Sequence, residues 1–150
     1  MEESENLQAY WQNIKSEHST NYFMNNRQYI GISILRIVLS FVFLWFGFSQ
    51  MSNAAQWVGF VPNWATSIMS AGTLVYLNGI FEIIAGLMLA IGIFPRYIAL
   101  LLGLHLLVIS SSLGFSAIGV RDIGLALATL SLFFLGNDKL ALSYKESTSK

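Results

Sequence analysis

The sequence contains four long stretches that are almost free of charge, and this pattern constrains the fold more than any other feature. The stretches cover about residues 29–48, 73–93, 97–113 and 120–135. Between Tyr29 and Gly136 the charged residues are Arg36, Glu82, Arg96, Arg121 and Asp122. A helix that crosses the ~30 Å hydrocarbon core of a bilayer needs about 20 mostly apolar residues. The sequence therefore predicts an all-α fold, a transmembrane four-helix bundle.

The composition agrees with a membrane protein and argues against several other classes. Hydrophobic residues make up 55% and charged residues 11% of the chain, whereas roughly 25% of an ordinary soluble domain is charged. This deficit nearly excludes a soluble enzyme. The formal net charge is zero, so we expect no nucleic-acid partner. The chain has no cysteine and two histidines, and we therefore expect no metal site and no covalently bound cofactor.

Polar segments flank the predicted membrane domain of residues 29–136. Residues 1–28 are polar, and an apolar stripe at helical spacing (Leu7, Tyr10, Trp11, Ile14) indicates either a helix on the membrane surface or a frayed tail with chance periodicity. Residues 137–150 form a polar tail. Basic residues near the ends of the spans fall mostly on the side of both termini (Lys15, Arg27, Arg96, Lys139, Lys145, Lys150). By the positive-inside rule both termini face the cytoplasm.

An uncharged loop at residues 50–72 joins the first two spans and carries Trp57 and Trp64. Indole rings favour the headgroup level of a bilayer, so this loop is predicted to lie at the interface. Arg121 and Asp122 begin the fourth span on the same side. Asp122 can cap its helix while Arg121 reaches the headgroups; alternatively, both residues belong to an outer pocket covered by Trp57 and Trp64.

Three ionisable side chains, Arg36, Glu82 and His105, lie within the spans. Arg36 lies nine residues after Arg27, His105 nine after Arg96, and Glu82 ten before Gly92, so each is predicted about 13–15 Å from the cytoplasmic ends. Intramembrane charges usually face the bundle interior and a partner. We therefore expect the three to meet near the midplane on three helices.

Two interpretations of this midplane cluster remain open. In the first, Arg36 and Glu82 form a buried ion pair that fixes helix register, and His105 makes a structural hydrogen bond. In the second, the cluster binds a polar head group such as a quinone, or relays a proton, because imidazole changes its charge near neutral pH. A b-type haem is disfavoured, since His105 has no second imidazole to pair with.

The order of the motifs resembles the DoxX family of small four-helix membrane proteins. The resemblance covers roughly residues 29–136. In the first half it rests on Arg36 followed by FLWFG (Phe43–Gly47) and on a tryptophan loop (Trp57, Gly59, Pro62, Trp64). It continues with a glycine-rich second span (Gly79, Glu82, Gly86, Gly92, Arg96), His105, and the RDIG opening of the fourth span (Arg121–Gly124). It implies a multi-pass protein of a prokaryotic cell membrane. The family takes its name from small membrane subunits of an archaeal thiosulfate:quinone oxidoreductase, so the resemblance also implies a link to membrane redox complexes. No established catalytic residues carry over.

Three functional hypotheses follow. The first is a redox-associated subunit whose polar cluster accepts a quinone while a soluble or membrane partner performs the chemistry; we expect no catalysis by the chain alone. The second is a non-catalytic membrane scaffold or assembly factor that binds its partner, or a second copy of itself, through glycine-rich helix faces or the aromatic loop. The third is a small transporter or proton pathway.

Overall fold

The computed structural model describes residues 2–136, 138 and 140–143, and those residues contain helices and turns but no strand. The helices are α1 (Glu2–Ser52), α2 (Asn63–Thr66), α3 (Ala71–Ile91), α4 (Pro95–Leu113) and α5 (Ala117–Leu135), with two short 3₁₀ turns at Ala54–Gln56 and Val58–Phe60. Two compact units divide the chain, one up to Gly31 and one from Ile32 onward. Each unit is described by itself.

The predicted set of four apolar helices is confirmed. Segments Arg27–Ser52, Ala71–Ile91, Pro95–Leu113 and Ala117–Leu135 are long enough to span a membrane, with mean hydropathies of 1.7 to 2.1. Within the fold, 28 to 33% of each segment is buried. Apolar surface left exposed on this scale is suited to lipid rather than to water. The sidedness of the termini stays a prediction.

Local sequence signals determine where the helices begin and end. The hydroxyls of Ser70 and Ser116 accept hydrogen bonds from the first-turn amides of α3 and α5, the ordinary role of an N-cap serine. Gly92 ends α3 in the left-handed conformation, with a φ of 81°, which glycine adopts without steric penalty. Pro95 then opens α4 at its first turn. The tight connection makes α3 and α4 sequential neighbours.

Close contact between glycines sets the antiparallel register of α1 and α3. A Cβ added at Gly47 would lie 2.8 Å from the carbonyl oxygen of Gly79, and one at Gly79 would lie 3.0 Å from that of Gly47. Two turns further along α3, Gly86 packs against the side chain of Leu44. Small residues let membrane helices approach this closely. The register therefore places Glu82 opposite the segment around Gly47.

The core of the second unit lies between this glycine contact and the α3–α4 turn. This is the cytoplasmic side if both termini face the cytoplasm, as predicted. Its fully buried apolar side chains come from all four long helices and include Phe43, Leu89, Leu102 and Ala126. At the same end the chain folds back after α5, and the backbone amides of Leu142 and Ser143 donate to the carbonyls of Ile91 and Gly92. The C-terminal segment thus closes over the end of α3.

The loop between α1 and α3 is built from short turns rather than extended chain. Pro62 separates the two 3₁₀ turns from the four-residue helix α2. The ring of Trp57 packs edge-on against Phe46 at 5.6 Å, and its Nε1 donates to the Ser49 hydroxyl at 3.3 Å. The loop is thereby fixed over the end of α1.

The first unit is helical throughout its described residues. The rings of Tyr10 and Trp11 touch edge-on at 5.9 Å, and both side chains are exposed. The predicted stripe also includes Leu7 and Ile14, whose side chains lie outside the described residues. Attachment of this segment to a membrane surface stays a prediction.

Candidate functional site

A cavity of about 490 Å³ lies inside the second unit, at the end where the loop covers the helices. Its wall comes from the ends of α1, α3, α4 and α5 and from the loop. The residues with polar side chains or large aromatic rings are Phe46, Gln50, Gln56, Trp57, Phe60, Trp64, Asn78, Glu82, His105, Arg121 and Asp122. The volume lies within the range of small-molecule sites, roughly 300–1,000 Å³.

Four polar side chains from three helices form one hydrogen-bonded network in this wall. Gln50 Nε2 donates to Glu82 Oε2 at 2.8 Å. Asn78 Nδ2 donates to Gln50 Oε1 at 2.9 Å and to Glu82 Oε1 at 3.1 Å. The Nε2 atom of His105 lies 2.5 Å from Asn78 Oδ1. Glu82, at 3% exposed, thus has its two carboxylate oxygens bonded to amide donors, as a buried charge requires.

Helix periodicity explains how these residues come together. Asn78 and Glu82 are four residues apart on α3, so they share one helix face. Gln50 follows Gly47 by one turn on the face of α1 that contacts α3. His105 lies on α4, where its ring packs edge-on against Phe81 of α3 at 4.8 Å. The network is therefore held by rigid helices rather than by loops.

The outer rim of the cavity carries an ion pair and aromatic rings. Arg121 Nε donates to Asp122 Oδ1 at 2.8 Å, with 53% of the arginine side chain and 10% of the aspartate side chain exposed. The guanidinium also lies over the ring of Phe46, 5.7 Å from its centre. Trp57 and Trp64 line the same cavity. The four outer-pocket candidates therefore share one cavity with Glu82 and His105.

Arg36 does not join that group. Its Nε donates to Asp138 Oδ2 at 2.7 Å, and one terminal nitrogen donates to the carbonyls of Leu89, at 2.7 Å, and Ala90. The Ser33 hydroxyl donates to Asp138 Oδ1 at 2.9 Å. The side chains of Arg36 and Asp138 are 2% and 0% exposed. Arg36 is thus paired with the C-terminal segment instead of Glu82.

The depth estimate placed Arg36 too far from the end of the bundle that holds the α3–α4 turn, because it counted from Arg27. α1 passes Arg27 without a break, so that residue does not mark the end of the bundle. The contacts place Arg36 level with Leu89 and Ala90, in the last turn of α3. Glu82 precedes Leu89 by seven residues, about 10 Å along the helix axis. For Glu82 and His105 the estimate counted from the α3–α4 turn and predicted that the two lie at one level. In the structure Asn78 forms hydrogen bonds with both.

Asp138 lies outside the membrane spans and is ionised by its surroundings. Burial would raise the pKa of its carboxyl group. The hydrogen bonds from Arg36 and Ser33, the charge of Arg36 and the Leu140 amide outweigh burial and hold that pKa below its usual value. An arginine charge buried in the bundle therefore has a fixed counter-ion.

Three polar residues of these clusters, Gln50, Asn78 and Asp138, were absent from the sequence-predicted site. Asn78 had a detectable signal, since it lies one turn before Glu82 on the same face. The signal for Gln50 was weaker: it lies one turn beyond Gly47 on α1. Asp138 had none, because it follows the last span and belongs to the polar tail of residues 137–150.

The comparisons with known proteins identify a family. The DoxX family model matches residues 31–113, just over half of the chain. The match includes the network residues Gln50, Asn78, Glu82 and His105, and it ends before Arg121. Comparisons with curated proteins and with solved structures found no match.

Proposed function

The chain is a member of the DoxX family of membrane proteins, and from that premise we propose that it is a quinone-binding subunit of a membrane redox complex. In this proposal the cavity holds the quinone head group, and a partner protein supplies the electron-transfer chemistry. The observation that carries the proposal is a cavity with mostly apolar walls that ends on a buried polar network of Gln50, Asn78, Glu82 and His105.

The residues present fit a quinone head group. A quinone ring is flat and apolar, with oxygen atoms on opposite sides. The aromatic rings of Trp57, Phe60 and Trp64 offer surfaces against which a flat ring can stack. His105 and the Arg121–Asp122 pair supply polar groups at different parts of the wall. Such a combination of apolar walls with a few polar groups is typical of small-molecule sites.

The rim of the cavity suits a ligand that enters from the bilayer. Val108, Ile118 and Trp64 line the cavity and are also 50%, 39% and 63% exposed. On a membrane-spanning helix, an exposed apolar side chain contacts lipid. A ligand with a long apolar tail can therefore keep its tail in the hydrocarbon while its head occupies the cavity.

An observation on the core favours binding over proton or solute transport. Phe43, Leu89 and Leu102 are almost fully buried, at 1%, 0% and 0% exposed. By the helix register, Phe43 lies between the cavity network and the Arg36–Asp138 pair, and Leu89 lies level with that pair. The hydroxyl of Ser40, which lies between Phe43 and Arg36 on α1, is bonded to the Arg36 carbonyl, so this packed layer offers a proton no chain of hydrogen bonds to the cavity network. The polar groups of the cavity thus form a site open at one end.

The test measures binding of a decyl-substituted benzoquinone to the protein in lipid nanodiscs, followed by quenching of tryptophan fluorescence. We expect saturable binding, weakened about tenfold or more by His105→Leu, which removes a buried polar contact. The matched control is Leu104→Ala, because Leu104 is the neighbouring residue on α4, faces outward and does not line the cavity. Absence of saturable binding, together with normal capture of a partner by both variants, would favour the scaffold hypothesis.

A further inference from the structure

The hydrogen bonds of the network have a direction, and that direction bears on which redox form of the ligand the cavity prefers. We infer that Glu82, acting through Asn78, fixes the tautomer of His105 so that the cavity binds the reduced, hydroxyl-bearing form of the quinone more tightly than the oxidised form. This inference rests on the proposed function. In it, Glu82 and Asn78 are positioning residues and His105 contacts the ligand.

Glu82 determines how the Asn78 amide is turned. A carboxylate oxygen accepts hydrogen bonds and has none to donate. The atom of Asn78 that faces Glu82 Oε1 and Gln50 Oε1 must therefore be the amide nitrogen, at 3.1 and 2.9 Å. The reversed amide would place its carbonyl oxygen against two acceptor oxygens. The carbonyl oxygen of Asn78 consequently faces His105.

Asn78 in turn determines which nitrogen of His105 carries the proton. The carbonyl oxygen has no hydrogen, so Nε2, at 2.5 Å from it, must be the donor. A neutral imidazole has one N–H group, and its other nitrogen is an acceptor. Among the described residues Nδ1 has no hydrogen-bond partner, and it is not sealed from the surroundings. His105 lines the cavity, so in this inference Nδ1 is the acceptor atom that it offers to the ligand.

The charges that line the cavity do not reverse this preference. The titratable and charged groups in its wall are Glu82, His105, Asp122 and Arg121. Arg121 is bonded to Asp122 at the exposed rim, and the carboxyl group of Glu82 is bonded to Gln50 and Asn78. Among the described residues no charged side chain is hydrogen-bonded to His105.

The two redox forms differ in the group that they present to Nδ1. The reduced form has a hydroxyl group, which donates a hydrogen bond to the nitrogen lone pair. The oxidised form has a carbonyl oxygen, whose lone pairs face that of Nδ1. One hydrogen bond gained or lost in a buried site corresponds to about 1 kcal/mol, which is about a fivefold difference in affinity.

The experiment compares the reduced and oxidised forms of the same decyl-substituted benzoquinone, with the wild-type chain and with Glu82→Gln. The wild type is expected to bind the reduced form about fivefold more tightly. The E82Q side chain has nearly the same shape, but one of its two terminal atoms is an N–H donor. Either orientation of the Asn78 amide then leaves one mismatched contact in the ring formed with Gln50, so Asn78 is no longer held in one orientation. Both tautomers of His105 then become populated, and the preference for the reduced form is expected to fall toward equal affinity.

Asp122→Asn serves as the matched control, because it removes another carboxylate of the same cavity without touching Asn78. It is expected to keep the wild-type ratio of the two affinities, whatever its effect on the affinities themselves. Nitrogen-15 NMR of labelled histidine gives a second readout, since it distinguishes the two ring tautomers; a His18→Gln background leaves His105 as the single histidine. We expect the proton on Nε2 in the wild type and a mixture of the two tautomers in E82Q.

The outcomes separate this inference from the proposed function. If neither redox form binds, the proposed function fails and this inference fails with it. If the wild-type protein binds both forms with equal affinity, or if E82Q leaves the wild-type preference unchanged, the proposed function stands and this inference is overturned. A wild-type His105 protonated on Nδ1 would also overturn it. If E82Q does not fold, the wild-type preference and the wild-type tautomer still decide the question.

Discussion

Arg36 Nε donates to Asp138 Oδ2 at 2.7 Å, and this buried pair joins the first membrane helix to the segment that follows the last one. The same guanidinium also bonds the carbonyl groups of Leu89 and Ala90 at the end of α3. Three parts of the second unit that are far apart in sequence therefore meet at one side chain. The pair closes the end of the bundle opposite the cavity.

The first prediction concerns the stability that this pair provides. Asp138→Ala leaves the Arg36 charge buried without its counter-ion, so we expect the free energy of unfolding to fall by about 3 kcal/mol. Thermal unfolding in detergent, monitored by circular dichroism, measures the change. The double variant Arg36→Met with Asp138→Leu is expected to recover much of the loss, since it removes both charges. Equal stability of Asp138→Ala and the wild type would contradict the account.

The second prediction is the pH dependence of the same contact. The folded protein holds the pKa of Asp138 below its ordinary value of 3.8, so the unfolded chain takes up the proton first as the pH falls. The stabilisation is therefore fully present above about pH 4 and is lost as the pH falls through the folded-state pKa. Unfolding midpoints measured from pH 7 to pH 3 should decline more steeply for the wild type than for Asp138→Asn. Parallel curves would exclude this role.

The third prediction concerns the glycine contact between α1 and α3. An added methyl group at Gly47 would meet the Gly79 carbonyl oxygen and the Ile83 side chain, each at 2.8 Å. We expect Gly47→Ala to lower the free energy of unfolding by about 1–3 kcal/mol. Gly124→Ala on α5 is the control, because no atom lies within 4 Å of its added Cβ; it should be neutral or slightly stabilising. Similar effects of the two changes would contradict the register.

The fourth prediction tests the cavity by filling it. Ile109 lines the cavity, so Ile109→Trp places a larger side chain in the space proposed for the ligand. We expect loss of decyl-benzoquinone binding with an unchanged unfolding midpoint in detergent. Leu104→Trp on the outward face of α4 should bind normally. Undiminished binding by Ile109→Trp would move the ligand site elsewhere.

Much of this architecture could be predicted from the sequence, because bilayer thickness fixes how many apolar residues a span needs. The distance of Glu82 and His105 from the turn before Pro95 also followed from residue counts, since two helices joined by a tight turn share a starting level. The position of Arg36 did not follow, because the register of α1 depends on a backbone contact between Gly47 and Gly79. Its partner Asp138 was equally hidden, as it lies beyond the last span.

The most direct test of the quinone site is photolabelling with a decyl-tailed azidoquinone in nanodiscs, followed by mass spectrometry of the peptides. The account predicts labels on the loop from Trp57 to Trp64 and on α4 near His105, both suppressed by excess unlabelled decyl-benzoquinone. Labels confined to outward-facing residues such as Phe41, or labels that the excess quinone does not suppress, would contradict it.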